Sequence, residues 1–530
     1  MKSPPDFSAY RLALLLAVAT GLTGCLTSSD VDRSVDREMD VRARGETTTI
    51  QNTMVDARSS MDTNAAPAAV ALDLDEALRL STRYGRALQT RREQLYLSGM
   101  DVLSAQRLFE PQLAGTLGYV LSRGSDSTGN HNQGALAATA TQVLPSGATL
   151  TAGAQSSAAT PLSTTNVVRT TYGNTLSVGI SQPLLAGAGY EASHDPWIQA
   201  NHELRYALRT FALDRQEFAL KVARSYYSLL IQQAVVTNTR RNMDSAVYLR
   251  RRSEALFRVR KAPAEDVMRS QQQELSTSNQ LAGVEAALDV SAHRFLLDLG
   301  LPPETRVTVA GSIPGLHPLL LDPEQCVVLA LENRVDLKTL HDRVSDAERR
   351  VRIARNAMLP DVAVNINAST EAAAADSPTD IHDSDAYSVG ATLDIPFDLR
   401  DERDKLKRAR IALTVARRAE AEKKDTIKTE IADGLRLLKV LEASAGIELR
   451  NRDLAARRAT YAEIQFKNGL LSNRDVVEAQ GTLLQAGNAY VQALSDYENQ
   501  RLSVIKAVGL LDVRPEGTLV ERWPTPAVKP

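Results

Sequence analysis

Cysteine is nearly absent from this 530-residue sequence, which contains only Cys25 and Cys326. Two cysteines cannot form the dense set of disulfides that stabilises many small secreted domains. After the first 25 residues the sequence also lacks a run of about 18 apolar residues, so we expect no transmembrane helix. Apolar residues make up 43% of the chain, which is enough for a folded core.

The chain also lacks an excess of charge of either sign. Its 62 Lys and Arg residues balance 64 Asp and Glu residues, so no net field favours nucleic acid or another strongly charged partner. No glycine-rich phosphate loop follows a predicted strand. The histidines show no metal-ligand spacing, and the sequence therefore predicts neither an enzyme nor a cofactor. They are His131, His194, His202, His293, His317, His341 and His382.

Residues 1–24 have the pattern of a secretion signal, with Lys2 and Arg11 before a short apolar run. The run ends in Leu22-Thr23-Gly24-Cys25, which resembles the lipobox of bacterial lipoproteins, where the cysteine becomes the lipidated N-terminus of the mature protein. The alternative is a signal peptide with a coincidental cysteine. Leu26, rather than Asp, follows the cysteine, and by the same resemblance this favours export to the outer membrane. The polar residues 25–70 are predicted to form a flexible tether.

A stretch without glycine or proline runs from Trp197 to Ala262. Its apolar residues recur mostly at spacings of three, four and seven, which indicates an amphipathic helix. At 1.5 Å per residue this helix is about 100 Å long, roughly three times the hydrocarbon thickness of a bilayer. Pro263 ends it, and another helix is predicted from Ala264 to Leu299. A rod of this length is suited to crossing a gap.

The chain contains an internal repeat. A helix is predicted from Leu72 to Glu110, and the same offset leads to a second helix from Leu321 to Leu359, each ended by a proline. A second long helix is predicted over Phe397–Asn468, and a last helix from Asn473 to about Val508. We therefore expect two repeats.

The ends of the two long helices match as well. A single offset aligns Phe257 with Phe466 and Asp266 with Asp475. The predicted organisation is a first repeat, a linker, a second repeat and a C-terminal tail. Their residues are 72–300, 301–320, 321–511 and 512–530.

Each repeat contains two strands in which apolar residues alternate with small or polar ones. They are predicted at Leu113–Leu121 and Leu176–Pro183 in the first repeat, and at Val362–Ile366 and Tyr387–Ile395 in the second. In the first repeat, Pro145-Ser146-Gly147 resembles a hairpin turn between two weakly apolar alternating stretches.

Four strands with one apolar face are suited to a membrane barrel, because backbone groups in lipid must pair between strands. Four strands cannot close a barrel alone, and twelve strands from three copies are the simple solution. The alternative is a soluble sheet that caps a helical bundle.

This architecture resembles the TolC-type outer-membrane efflux protein family over about residues 72–511. The resemblance implies an α+β membrane protein built on a duplicated helix-strand-strand-helix unit. It also implies a trimeric 12-stranded β-barrel continued by a long α-helical periplasmic tunnel. In such systems the channel conducts passively and works with a periplasmic adaptor and an inner-membrane pump. The quoted motifs are Leu74-x-x-Ala77-Leu78, Pro183 and Pro396 after strands, and Asn468-Gly469 before Asp475-Val476.

In that family the turn before the last helix forms the periplasmic entrance, where acidic residues surround the constriction. The matching residues are Asp475 and Glu478, with Asp266 as the counterpart in the first repeat. Three copies of each acid would form a negative ring that favours cations. The alternative for Asp475 is a capping role at the helix N-terminus.

Two positions depart from the family pattern at this entrance. Phe466 stands where the family has a tyrosine that ties the closed entrance, and Arg269 stands where the first repeat would match Glu478. The gating bonds of the family therefore do not transfer directly, although Arg474 is placed to pair with a neighbouring acid. The basic run Arg250–Arg252 is predicted to be a solvated helix face.

Two other classes of protein have long helices and a lipobox. A periplasmic adaptor has a single helical hairpin inserted into β domains, whereas this chain has two helical units that each enclose strands. A coiled-coil structural lipoprotein without a pore would leave the strands unexplained.

Overall fold

The computed structural model describes residues 70–122, 131–161, 170–305, 307–311, 313–317, 319, 322–375 and 382–522. The predicted signal peptide, Cys25 and the tether up to residue 69 lie outside these ranges, as does Leu321 at the predicted start of the second repeat.

The helices and strands follow one another in two similar series. The first series is β1 (Val70–Leu72), α1 (Leu74–Tyr84), α2 (Arg86–Arg107), β2 (Gln112–Ser122), β3 (His131–Val143), β4 (Thr149–Pro161), β5 (Thr171–Pro183), α3 (Tyr190–Ser193), α4 (Asp195–Arg258), α5 (Ala264–Leu299) and β6 (Val307–Val309). The second is α6 (Pro323–Asn333), α7 (Val335–Asn356), β7 (Asp361–Ala375), β8 (His382–Asp394), α8 (Arg400–Lys467), α9 (Asn473–Val508), β9 (Leu511–Val513) and β10 (Leu519–Glu521).

The two long helices are α4, with 64 residues, and α8, with 68 residues. Each is about 100 Å long at 1.5 Å per residue, as the sequence predicted. α4 packs against α5, and α8 packs against α9, so the chain forms two long helical hairpins. The predicted duplication of the helical units is confirmed.

The prediction of one continuous helix at the start of each repeat is wrong. Both helices break, at Gly85 and at Arg334, where the backbone is extended with ψ of 109° and 119°. At Gly85 a side chain would not fit, because a Cβ there would lie 2.3 Å from the carbonyl oxygen of Ser81. At Arg334 the guanidinium bonds Asp336 and Glu430, which holds the extended residue in place.

The main hydrophobic core lies around the middle of α4. Val222, Tyr226 and Leu229 are buried there against α1, α6 and the C-terminal ends of α5 and α9. The Tyr226 hydroxyl donates to the carbonyl oxygen of Ala310 at 2.8 Å. The short pair β1–β6 is parallel and joins the two ends of the first repeat beside this core. Helix breaks therefore allow short segments to wrap around the long rods.

Six of the remaining strands form one antiparallel sheet in the order β2-β3-β4-β5-β7-β8, and β9 and β10 form a separate antiparallel pair. The prediction of four strands is therefore wrong, because the region 131–161 adds two more. These two strands consist mainly of Ala, Ser, Thr, Gly and Gln, so their alternation of apolar and polar residues is weak although their backbone pairing is complete. The hairpin turn predicted at Pro145 is confirmed.

One face of this sheet is apolar and exposed in the single chain. The register places its large side chains on the same side, because their Cα partners match across strands, as Leu117 matches Leu136 and Ile366 matches Val389. The other face carries mainly small and polar residues, such as Thr116, Ser177 and Asn367. The exposed apolar residues are Leu113, Leu117, Tyr119, Leu121, Leu136, Ile366, Tyr387, Val389 and Leu393, with exposures from 47% to 85%.

Candidate functional site

The turns that end the two long hairpins, 259–263 and 468–472, have the same backbone structure. Lys261 donates its N–H to Leu256 O at 2.8 Å, and Leu470 donates to Gln465 O at 2.9 Å at the matching position. The left-handed residue is Arg260 in the first turn and Gly469 in the second, with φ of 57° and 78°. The internal repeat therefore extends to individual hydrogen bonds.

Asp475 caps the N-terminus of α9. Its carboxylate accepts the backbone N–H of Ser472 at 2.9 Å and the Ser472 hydroxyl at 2.6 Å, which completes a capping box. These hydrogen bonds lower the pKa of Asp475. The capping alternative is therefore present in the structure, and the carboxylate is held in its ionised form at the hairpin turn.

Glu478 lies one turn further along α9, and its carboxylate accepts from Arg458 of α8 at 2.8 Å. Asp266 lies in the first turn of α5, where its backbone carbonyl accepts the Asn473 amide at 3.3 Å. The structure therefore brings the first turns of α5 and α9 together. Arg269, at the position that matches Glu478, pairs with Glu265 at 2.6 Å.

Phe466 is packed into a small core at the turn. Its side chain is 9% exposed and lies with Leu249, Val476 and Ala479. The matching Phe257 of the first turn is 48% exposed. The two turns thus share a backbone but differ in how their aromatic residue is covered.

Arg252 holds Phe466 in this core, and sequence reasoning missed it. Its guanidinium lies 4.6 Å from the centre of the Phe466 ring and donates to the carbonyl oxygens of Phe466 and Lys467 at 3.3 and 3.4 Å. The prediction of a solvated face is therefore wrong for two of the three residues, since Arg250 pairs with Glu254 and Glu274 and Arg252 ties α4 to the second turn, whereas Arg251 is exposed. No local signal in the run distinguishes these residues from surface arginines.

A buried hydrogen bond reinforces the same connection. The Asn473 amide donates to the Ser253 hydroxyl at 3.1 Å, and both side chains are almost fully buried. Asn473 therefore bonds both the α4 side chain and the Asp266 carbonyl. Together with Arg252, it fixes the second hairpin turn against the first hairpin.

A second polar cluster lies nearer the sheet, between α4 and α7. Asp346, which is 4% exposed, accepts the Tyr206 hydroxyl at 2.6 Å, His202 Nδ1 at 2.5 Å and Arg349 at 2.8 Å. Burial alone would raise the pKa of Asp346, but these bonds outweigh it and the pKa is lowered. Arg349 also pairs with Asp195 at 2.9 Å. Asp346 and Arg349 both lie on α7, and they join it to α4 through the hydrogen bonds from Tyr206 and His202 to Asp346 and through the ion pair between Arg349 and Asp195.

Across the described residues, no group of three or more His, Cys, Asp or Glu side chains lies in a metal-binding arrangement. No helix among the described segments has an apolar stretch with the length and hydropathy of a membrane span.

The chain is similar to known proteins in both sequence and fold. Residues 326–510 match the family model of the outer membrane efflux protein. The outer-membrane channel OprN shares 16% identity with a TM-score of 0.63, over 82% of this chain and 89% of that one. The outer membrane protein VceC of Vibrio cholerae shares 17% with a TM-score of 0.61, over 82% and 96%. The CmeC outer membrane channel of Campylobacter jejuni shares 13% with a TM-score of 0.63, over 85% and 87%. No curated protein matches. The predicted fold is confirmed, except that the described sheet has six strands in one chain where four were predicted.

Proposed function

We propose that the protein is the outer-membrane channel of a tripartite export system, because residues 326–510 match the family model of the outer membrane efflux protein and most of the chain has the fold of outer-membrane channels. A periplasmic adaptor and an inner-membrane pump would deliver the substrate, and the channel would conduct it passively out of the cell.

The observation that carries this proposal is the one-sided sheet above the long helices. Strands of 11 to 15 residues are long enough to cross a bilayer when tilted. The apolar side chains of the sheet, such as Leu117 and Tyr387, are exposed in the single chain and would face lipid. The rods of about 100 Å would extend from this sheet into the periplasm.

A trimer is supported by two apolar stripes on the helices. On α8, Val440, Ile447, Leu454 and Tyr461 recur every seven residues and are 59% to 68% exposed. On α5, four apolar residues are likewise exposed, at 49% to 72%. The heptad spacing of the α8 stripe is typical of a helix that packs against another helix. Within one chain α4 already contacts α9, so the α5 and α8 stripes are placed to meet between neighbouring copies. The α5 residues are Met268, Leu275, Val290 and Leu297.

The hairpin turns would form the periplasmic entrance of the tunnel. We assign Asp475, Glu478 and Asp266 to this constriction, where three copies of each would favour cations. Arg252 supplies the tie that the family's tyrosine provides, because it binds Phe466 and the carbonyls of the turn directly. Opening the entrance would then require these contacts to break.

Further segments complete the proposed organisation. Residues 1–24 would be the signal peptide, Cys25 the lipidated N-terminus and 25–70 the tether, followed by repeats at 72–300 and 321–511, a linker at 301–320 and a tail at 512–530. Replacing Cys25 with Ser should abolish incorporation of labelled fatty acid.

The periplasmic adaptor is the less favoured alternative, since one helical hairpin does not explain a six-stranded sheet with an apolar face.

Single-channel recording of the purified protein in planar bilayers tests the proposal. Wild type should open as a cation-selective channel. The double variant Asp475→Asn with Glu478→Gln should be less cation-selective. Asn is chosen at position 475 because its side chain keeps an oxygen that can cap the helix. Asp433→Asn, on α8 far from the turn, is the control. Unchanged selectivity in the double variant would be consistent with a channel but would contradict the assignment of Asp475 and Glu478 to its constriction. Because a closed entrance is silent, Arg252→Ala is recorded in parallel, and silence of this variant as well would contradict the channel.

A further inference from the structure

The β3–β4 hairpin lies between β2 and β5, the two strands of the first repeat that correspond to β7 and β8 of the second. β3 pairs with β2 along the whole of β2, β3 and β4 pair along their full length, and β4 pairs with β5 from Thr149 to Ala159. In the described sheet, β2 and β5 do not pair with each other. The hairpin is therefore a continuous part of the sheet.

The apolar face of the sheet continues across this hairpin. Leu136 lies opposite Leu117 of β2 and is 59% exposed, and Leu150 lies opposite Ile180 of β5. The other residues on this face of the hairpin are mainly small, including Ala138 and Ala154. The opposite face has Thr, Gln and Ser. The hairpin thus has the same outward and inward sides as the rest of the sheet.

The turn of the hairpin is fixed to the junction between sheet and helices. The Ser146 hydroxyl donates to the Gln182 side chain at 2.7 Å, and the Gln182 amide donates back to Ser146 O at 3.2 Å. Gly189 donates its N–H to the same carbonyl at 3.3 Å. Gly147, with φ of 89°, approaches so closely that a Cβ would lie 3.1 Å from Gly187 O. Ala148 is buried.

The β3 strand of the hairpin also contacts the connection between α2 and β2. Gln142 donates to Phe109 O, just after α2, at 3.2 Å. The Phe109 ring stacks on His194, which immediately precedes α4, with ring centres 4.1 Å apart, and the Tyr190 ring also stacks on His194, with ring centres 4.3 Å apart. The stacked rings thus connect the end of α2 to the start of α4 next to β3.

We propose that the β3–β4 hairpin belongs to the barrel wall, so that three copies close an eighteen-stranded barrel instead of the twelve-stranded one implied by the family resemblance. The inference rests on the proposed function, because it requires a membrane-inserted trimer. β2 and β8 form the two edges of the sheet. Because the number of strands per chain is even, β8 of one copy meets β2 of the next in antiparallel orientation. Barrel diameter grows roughly linearly with strand number, so this barrel is about 1.5 times as wide.

Disulfide cross-linking in the outer membrane tests the strand order within one chain. In a Cys326→Ala background, Leu117→Cys with Leu136→Cys places the two thiols on directly paired residues. Leu117→Cys with Leu176→Cys is the control, because three strand spacings and a further offset of two residues along the strand separate these residues by about 16 Å. We expect the first pair to cross-link nearly completely and the second hardly at all. Efficient cross-linking of the second pair, which requires β2 to lie beside β5, would overturn the proposal.

Electron cryo-microscopy of the lipid-reconstituted trimer then counts the strands. Eighteen strands with β3 and β4 in the wall would support the proposal. Twelve strands, with the hairpin in the lumen or outside the wall, would overturn it and leave the channel intact. A trimer without a barrel would overturn both this inference and the proposed function.

Discussion

Arg260 and Gly469 occupy the same left-handed position in the turns of the two long hairpins. Glycine adopts this conformation freely, whereas a residue with a Cβ is strained in it. The first turn therefore carries a local cost that the second does not. It persists because the same hydrogen bonds close both turns.

Replacing Arg260 with Gly should relieve this strain. We expect the variant to be more stable by about 1 kcal/mol, and Gly469→Ala to be less stable by about the same amount. The measurement is the thermal midpoint of the detergent-solubilised trimer for both variants and wild type. A loss of stability in Arg260→Gly would show that the arginine side chain contributes more than its backbone conformation costs.

Arg252 is expected to restrain opening of the entrance. Removing its two carbonyl contacts and its cation–π contact with Phe466 should cost the closed state about 2 kcal/mol, which is more than a tenfold change in the closed-to-open ratio. Single-channel recording of Arg252→Ala should show this increase in open probability. Arg251→Ala, its exposed neighbour, should behave like wild type. Arg252→Lys should be intermediate because it keeps the charge but loses the planar fork. Equal effects of the Arg251 and Arg252 variants would refute a specific tie.

The long helices were predictable from the sequence, whereas the helix breaks at Gly85 and Arg334, the number of strands and the contacts of Arg252 were not. The bounds Ala264–Leu299 and Asn473–Val508 follow from helical periodicity that ends near proline or glycine, and both match the structure. β3 and β4 were undercounted because small polar residues give little alternation, and their pairing depends on neighbours far along the chain. The contact between Arg252 and Phe466 joins residues 214 positions apart. By contrast, Ser472 and Asp475 have the spacing of a capping box, which the sequence already displays.

The α8 stripe should be essential for assembly. Leu454 is 68% exposed in one chain, and burying an aspartate in its place between two helices would leave an unpaired charge. Leu454→Asp should therefore abolish the trimer band on electrophoresis of unheated samples. Arg457→Asp, an exposed substitution on the same helix, controls for the added charge. A normal trimer in the Leu454 variant would place the interface between copies on another face.

The buried cluster around Asp346 should make stability depend on acid pH. Its pKa is lower in the folded chain than in the unfolded chain, so the carboxylate contributes stability above its ordinary pKa of 3.8 and loses it as pH falls through the folded value. Asp346→Asn should lower the thermal midpoint at pH 7, since Arg349 then loses one buried charged partner, at a cost of about 3 kcal/mol.

The pH profile separates this charge effect from simple loss of packing. As pH falls below about 4, the wild-type midpoint should fall more steeply than that of Asp346→Asn, and the two curves should approach each other as pH passes through the folded pKa of Asp346. Asp342→Asn serves as the control, because that carboxylate lies one turn earlier on α7 and pairs with Arg209 nearer solvent. Parallel curves for wild type and Asp346→Asn would mean that the Asp346 charge does not contribute to joining the repeats, and that the hydrogen bonds from Tyr206 and His202 act without it.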